Sequence, residues 1–86
     1  MILFVACVRD AKTDVYSQPM FFVTRGVAVR AFFDECKRDN SDVAKHPEDF
    51  AFFHVGHFDD QKGVFVNLDQ PVQIAHALDN FPTQGG

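Results

Sequence analysis

The sequence is poor in cysteine, and this excludes one common way to hold a small domain together. Its 86 residues include no tryptophan, one tyrosine and two cysteines. A small secreted domain usually carries four or more cysteines at patterned spacing. Cys7 and Cys36 each lie inside an apolar run, so we expect both thiols to be reduced, buried and unreactive, since a nucleophilic cysteine needs a partly exposed, electropositive setting.

Several motifs of catalysis and ligand binding are also missing. The five glycines are scattered, and Gly26 and Gly56 stand alone, so no glycine-rich loop is available to hold a phosphate. The chain has no Gly-x-Ser-x-Gly motif, no Cys-x-x-Cys pair and no His-Glu-x-x-His motif. We therefore expect no enzymatic activity, no cofactor and no bound metal.

Long apolar runs are absent as well. The N-terminal run, residues 1–8, is too short to cross a membrane, and no basic residue precedes it as in a signal peptide. The sequence therefore predicts an intracellular protein without membrane contact.

Positive charge is almost absent from the second half of the chain. The net charge is −4, but residues 1–45 carry seven basic and six acidic residues, whereas residues 46–86 carry one lysine and six acids. Bulk electrostatics therefore argue against a protein that coats a polyanion. Any contact with nucleic acid must come from the first half.

Phenylalanine is what the sequence has in excess, with eleven residues in a chain that is 47% hydrophobic. Such a composition predicts one globular domain, residues 1–82, followed by a flexible tail, residues 83–86. Chains this short bury a limited fraction of their surface, and dimerisation is a common remedy. We expect a homodimer in which a second copy covers part of the aromatic surface.

Hydrophobic periodicity predicts an α+β fold with the element order β-β-α-β-β-α. Thr24 is a candidate N-cap, Gly63 suits a hairpin turn, and Pro71 suits the first turn of a helix. We expect a small, mainly antiparallel sheet with two helices packed on it. The predicted strands cover residues 1–8, 20–23, 50–58 and 64–68, and the predicted helices cover residues 25–39 and 71–78, with loops at residues 9–18 and 40–45.

The densest polar cluster is the segment KHPEDFAFFHVGHFDD, residues 45–60. His54 and His57 are three residues apart, which places them on opposite faces of a regular strand unless a bulge near Gly56 intervenes. Glu48 and Asp49 follow a proline at a loop-to-strand junction, where carboxylates commonly bond to the loop. One alternative stays open, which is a small metal-dependent or acid–base enzyme. It would use His46, Glu48, Asp49, His54 and His57.

The candidate nucleic-acid-binding residues lie around the first predicted helix. The basic ones would contact phosphates, and Tyr16, just before the helix, could stack on a base. Asp34 and Glu35 interleave with the basic residues, a pattern that is also typical of a solvated helix face. The candidate site consists of Tyr16, Arg25, Arg30, Lys37, Arg38 and Lys45.

Four stretches of the sequence together resemble a known viral family. The most specific is KHPEDF, followed by Gly56-x-Phe58-Asp59-Asp60. The others are residues 10–21, residues 25–32, and the pair of segments 63–65 and 71–78. In this order the motifs resemble the small non-structural protein of gokushovirus-type microviruses, which are phages with circular single-stranded DNA.

The resemblance covers nearly the whole chain and implies a function without enzymatic activity. Family members are described as non-structural, DNA-binding proteins of viral replication in the host cytoplasm, acting near the switch to single-strand synthesis and packaging. Val27 departs from the family, where glutamate is common. The resemblance implies single-stranded DNA, bound weakly, and viral replication or capsid proteins as partners. The alternative is a homodimeric module that docks such proteins without touching DNA.

Overall fold

The protein is described by a computed structural model that covers residues 1–80. Its strands are β1 (Ile2–Asp10), β2 (Val15–Tyr16), β3 (Met20–Phe22), β4 (Phe50–Asp59) and β5 (Val64–His76). Its α-helices are α1 (Arg25–Lys37) and the one-turn α2 (Asp42–Lys45). Short 3₁₀ turns cover Pro47–Asp49 and Ala77–Asn80.

The strands form one five-stranded antiparallel sheet in which β1 is central. Both β2 and β3 pair with one side of β1, β4 pairs with its other side, and β5 pairs with β4. This confirms the predicted antiparallel α+β class. The predicted boundary at residue 82 and the tail at residues 83–86 lie outside the described residues.

The core lies between α1 and one face of the sheet, which we call the helix face. Ala28, Phe32 and Cys36 of α1 are buried against that face together with Phe4 and Phe52. The rings of Phe32 and Phe52 stack with their centroids 4.8 Å apart. Side chains alternate along a strand. The residues that directly follow Phe4 in β1 and Phe52 in β4 therefore point to the opposite side of the sheet, which we call the open face.

A bulge at Val55 reverses the alternation halfway along β4. In the pairing with β1, His54 lies opposite Ala6 and Gly56 lies opposite Val5, so Val55 has no partner. After the bulge, His57 returns to the helix face opposite Phe4, and Phe58 lies on the open face. Uninterrupted alternation along β4 would place Phe58 on the same face as Phe52, and the bulge prevents this.

Local hydrogen bonds fix the ends of α1. The Thr24 hydroxyl accepts a hydrogen bond from the Val27 N–H (3.2 Å), which confirms the predicted N-cap. The helix ends at Lys37, earlier than predicted, because Arg38 is the extended C-cap and Asn40 has a φ of 66°. The Arg38 guanidinium donates two hydrogen bonds back to the Glu35 carboxylate (2.8 and 2.7 Å).

The segment predicted as a loop after α1 contains α2. Its N-cap is Ser41, which is buried. The Ser41 hydroxyl accepts from the Ala44 N–H and donates to the Glu35 carbonyl, both at 2.9 Å, and thereby ties α2 to the end of α1. A single turn of this kind is too short to show helical periodicity in a sequence.

The predicted helix over residues 71–78 is wrong, because β5 continues through most of it as far as His76. Asn67 pairs with Gly56 and Val72 pairs with His54, so the residues between them, including Pro71, have no partner in β4. A proline is tolerated at such an irregularity in an edge strand. The predicted order β-β-α-β-β-α therefore fails at its last element, and it also lacks β2 and α2, which form in segments predicted as loops. Only α1 is a long helix packed on the sheet.

The hairpin between β4 and β5 has the predicted turn. Asp59 Oδ1 accepts hydrogen bonds from the N–H groups of Gln61 (3.0 Å) and Lys62 (3.2 Å). Gly63 has a φ of 68°, which a residue with a side chain rarely adopts. The turn therefore forms where Gly63 predicted it, and the positive φ of this glycine is the reason.

Candidate nucleic-acid interface

One aromatic pair and one group of three aromatic rings line the open face of the sheet. Tyr16 of β2 meets Phe53 of β4 edge to face, with ring centroids 5.4 Å apart. Toward the other end of the strands, Phe58 contacts Phe21 (5.7 Å) and Phe65 (4.7 Å). Tyr16, Phe21 and Phe65 are each about half exposed. The open face therefore presents aromatic ring surface that α1 does not cover.

Arg9 brings a positive charge to the aromatic pair. It is the register partner of Tyr16, and its guanidinium carbon lies 5.9 Å from the centroid of the Tyr16 ring. The same guanidinium forms an ion pair with Asp14. The sequence-based prediction missed Arg9, because it placed the residue in a loop; extending the alternation of β1 by one residue would have brought it to the open face.

A groove separates the aromatic pair from the group of three rings. Its volume is about 390 Å³, and its floor includes Val5, Cys7 and Gly56. Tyr16 lies at its rim, and the unpaired segment of β5 that contains Pro71 forms one wall. Cavities of this size are large enough to hold a small ring system. Because the unpaired β5 segment was predicted as a helix start, no feature of the sequence indicated the groove.

The predicted basic residues lie on the other side of the sheet. Arg25, Arg30 and Lys37 are exposed on α1, and Lys45 is exposed at the end of α2. Arg38 is also exposed but is held by Glu35, and this hydrogen bond lowers the pKa of the Glu35 carboxyl. The structure therefore groups the five basic residues around the helices and does not bring Tyr16 to them.

His54 and His57 come together, contrary to the expectation from strand alternation. Their rings lie 4.8 Å apart, and both contact Phe4, with His54 stacked on it at 4.0 Å. The bulge at Val55 is the reason, because it returns His57 to the face that His54 occupies. His54 Nε2 lies 3.0 Å from the Gly56 carbonyl oxygen, and burial lowers the pKa of this imidazole. Among residues 1–80, no third ligand-type side chain joins the pair.

A second group of polar side chains lies at the start of β4. The ligand atoms of His46, Glu48 and Asp49 lie within 4.8 Å of one another, beside a cavity of about 380 Å³ that Asp10 and Asp42 also line. Asp49 supports the fold through its backbone, since its carbonyl accepts the Ala11 N–H (2.8 Å). In the described chain every buried side-chain nitrogen or oxygen has a hydrogen-bond partner, so no orphaned group marks a ligand here.

The two cysteines are buried free thiols, as the sequence predicted. Burial raises the pKa of both Cys7 and Cys36, so each is protonated near neutral pH. Neither thiol has the lowered pKa of a nucleophile.

No helix within residues 1–80 combines the length and apolar character needed to span a membrane.

Comparison with known proteins identifies one family. The family model described as "Phage ORF5 protein" matches residues 3–80, which is nearly the whole chain. No curated protein and no solved structure matches. The matched range includes the sheet, both helices and all the candidate residues described above. The chain therefore belongs to the Phage ORF5 protein family.

Proposed function

We propose that this phage protein is a non-enzymatic accessory factor that binds single-stranded DNA weakly in the host cytoplasm, during genome replication or packaging. The observation that carries the proposal is the half-exposed aromatic surface of Tyr16, Phe21 and Phe65 on the open face. Bases of any sequence have a flat face that can stack on such rings.

The open face would select single strands over duplexes. In a duplex the faces of the bases are already stacked on one another, so only an unpaired strand can offer them to Tyr16 or Phe65. Arg9, beside the Tyr16 ring, supplies a cation close to the stacked base. The groove next to Tyr16 is large enough to hold a base that turns away from the strand.

The basic residues of α1 would act at a distance from the stacking surface. A strand that leaves the open face around the β2–β3 edge reaches the helix side, where Arg30 and Lys37 are exposed. Their contacts with phosphates would be electrostatic and independent of base identity. A net charge of −4 keeps the total affinity low, and the phosphate contacts make that affinity fall with added salt.

Measured affinities of the purified chain for a single-stranded oligonucleotide and its duplex, at low salt, test the proposal. Tyr16→Ala and Phe21→Ala should each weaken single-strand binding by about 1–3 kcal/mol, the range for loss of one stacked base. Val15→Ala is the matched control, because Val15 is an even more exposed neighbour of Tyr16 and has no ring to stack. Equal affinity of the wild type, both aromatic variants and the control would refute the role of the open face.

A second candidate function rests on the same exposed side chains. The aromatic surface could dock a viral replication or capsid protein, as apolar patches on small domains often do. Failure of the purified chain to bind any oligonucleotide, together with direct binding to a purified viral replication or capsid protein, would favour docking over DNA binding.

A further inference from the structure

One end of the sheet is apolar and exposed on both of its faces. On the helix face, Ile2, Val64 and Val66 lie in neighbouring register rows near the hairpin turn, and on the open face Phe21 and Phe65 lie at the same level. These five residues, which we call the sheet end, are each between 46% and 59% exposed. The helix α1 covers the middle of the sheet and leaves this end bare.

Apolar surface that a small domain leaves exposed often marks an interface with another protein. Three of the five residues, Val64, Phe65 and Val66, belong to the edge strand β5. A strand that pairs with β5 would therefore bring its own side chains beside these three.

The edge strand at this end lacks the features that usually prevent strand pairing. On its outer side β5 has no partner among the described strands. From Val64 to Leu68 it carries no charge and no proline, although lysine and proline are the residues that commonly protect an exposed edge. Asp69 directly follows this segment and Asp59 lies opposite Val64 on β4, whereas Asp60 in the turn forms an ion pair with the amino group of Met1 (2.7 Å). The edge is thus open to another strand.

We propose that this edge pairs with the same edge of another copy of this chain, by antiparallel pairing of β5 with β5 around a two-fold axis near Phe65. The strand is suited to itself, because pairing centred on Phe65 sets Val64 of one copy opposite Val66 of the other. Two apolar, uncharged strands of this kind meet without placing like charges opposite each other. An isologous contact also closes after two copies, so it gives a dimer and not a fibre.

This dimer goes beyond the proposed DNA binding and does not depend on it. Edge-to-edge pairing joins two five-stranded sheets into one and leaves both open faces accessible. It places Phe65 of each copy near the axis, so the aromatic surfaces of the two copies become continuous.

Light scattering of the purified chain tests the dimer directly. The expected mass is twice the 9.7 kDa of one chain at concentrations well above micromolar. A double variant, Val64→Lys/Val66→Lys, should return the mass to that of one chain, because it places four lysines in the paired edge. Val72→Lys is the matched control, since Val72 lies on the same strand with the same 49% exposure as Val64 but away from the sheet end. It should remain dimeric.

Cysteine cross-linking locates the axis even if the lysine variant fails to fold. Paired antiparallel strands hold opposite Cα atoms about 4.5–5.5 Å apart, within the range that a disulfide bridges. Phe65→Cys should therefore form a covalent dimer on mild oxidation, whereas Val15→Cys on the far edge should not. The native cysteines are buried and provide a low background. A wild type that stays monomeric, or a dimer in which Phe65→Cys does not cross-link, would overturn the proposal.

Discussion

A Cβ atom added to Gly56 would lie 2.6 Å from the carbonyl oxygen of Val66. The contact is with backbone, so no side chain can move to relieve it, and only glycine allows β4 and β5 to approach this closely. Gly56 also follows the Val55 bulge, where the alternation of β4 reverses.

We expect Gly56→Ala to destabilise the fold by about 1–3 kcal/mol, the usual cost of forcing an extra group into a packed site. Urea denaturation measures the loss. Gly26→Ala is the matched control, because a Cβ there meets only the Thr24 hydroxyl at 3.9 Å and alanine favours a helix. That variant should be neutral or more stable; an equal loss in both variants would contradict the close approach of β4 to β5.

Ser41→Ala should cost about 1–2 kcal/mol of stability, more than an exposed helix cap contributes. The change removes the N-cap of α2 and leaves the Glu35 carbonyl without its hydroxyl donor. Thr24→Ala removes a cap from α1 at an exposed position and should cost less. Thermal unfolding of both variants ranks them, and a larger loss for Thr24→Ala would argue against the tie between α1 and α2.

Stability should fall as the pH drops below the ordinary histidine value of 6.5, because the pKa of His54 is lowered in the folded state. Burial is the main cause, with smaller contributions from His57 and Arg25, against the favourable hydrogen bond to Gly56. The unfolded chain then binds a proton that the folded chain does not, so acid favours unfolding until the folded pKa is passed.

The urea midpoint measured between about pH 7 and pH 5 should therefore decrease toward acid. His54→Gln removes the titrating group and should flatten this dependence. A midpoint that rises toward acid in the wild type would show that His54 is stabilised in its charged form.

The salt dependence of single-strand affinity should weaken in an Arg30→Ala/Lys37→Ala variant. Each lost phosphate contact lowers the log–log slope by about 0.7 for single strands, so two contacts account for about 1.4. Lys62→Ala is the control, because it removes one exposed positive charge in the hairpin turn, away from the helices. An unchanged slope in the double variant would remove α1 from the proposed interface.

The sequence predicted the parts of the fold that rest on local signals. Thr24 marked the start of α1, and Gly63 marked the hairpin turn. Pro71 led to the wrong prediction of a second helix, because a proline that is favourable at a helix start is also tolerated in an unpaired part of an edge strand. Ile74 and Ala75 did not distinguish a helix from a strand, since a short apolar run is compatible with both.

The candidate site was less predictable, because its geometry depends on a bulge that Gly56 made possible but that the sequence alone did not require. Val55 looks like any other strand residue, yet it brings His57 to His54 and sends Phe58 to the open face. Tyr16 was identifiable as a base-stacking candidate from its type alone. Phe65 was not identifiable as such a candidate. Its exposure depends on how far α1 extends over the sheet and not on its neighbours in the sequence.

The scarcity of two residue types has an experimental consequence. With no tryptophan and one tyrosine, nearly all of the intrinsic fluorescence comes from the Tyr16 ring beside Phe53. The emission of the unlabelled protein therefore reports on the open face alone. Quenching by a nucleobase, by a docking partner or by acrylamide can be followed there without introducing a probe.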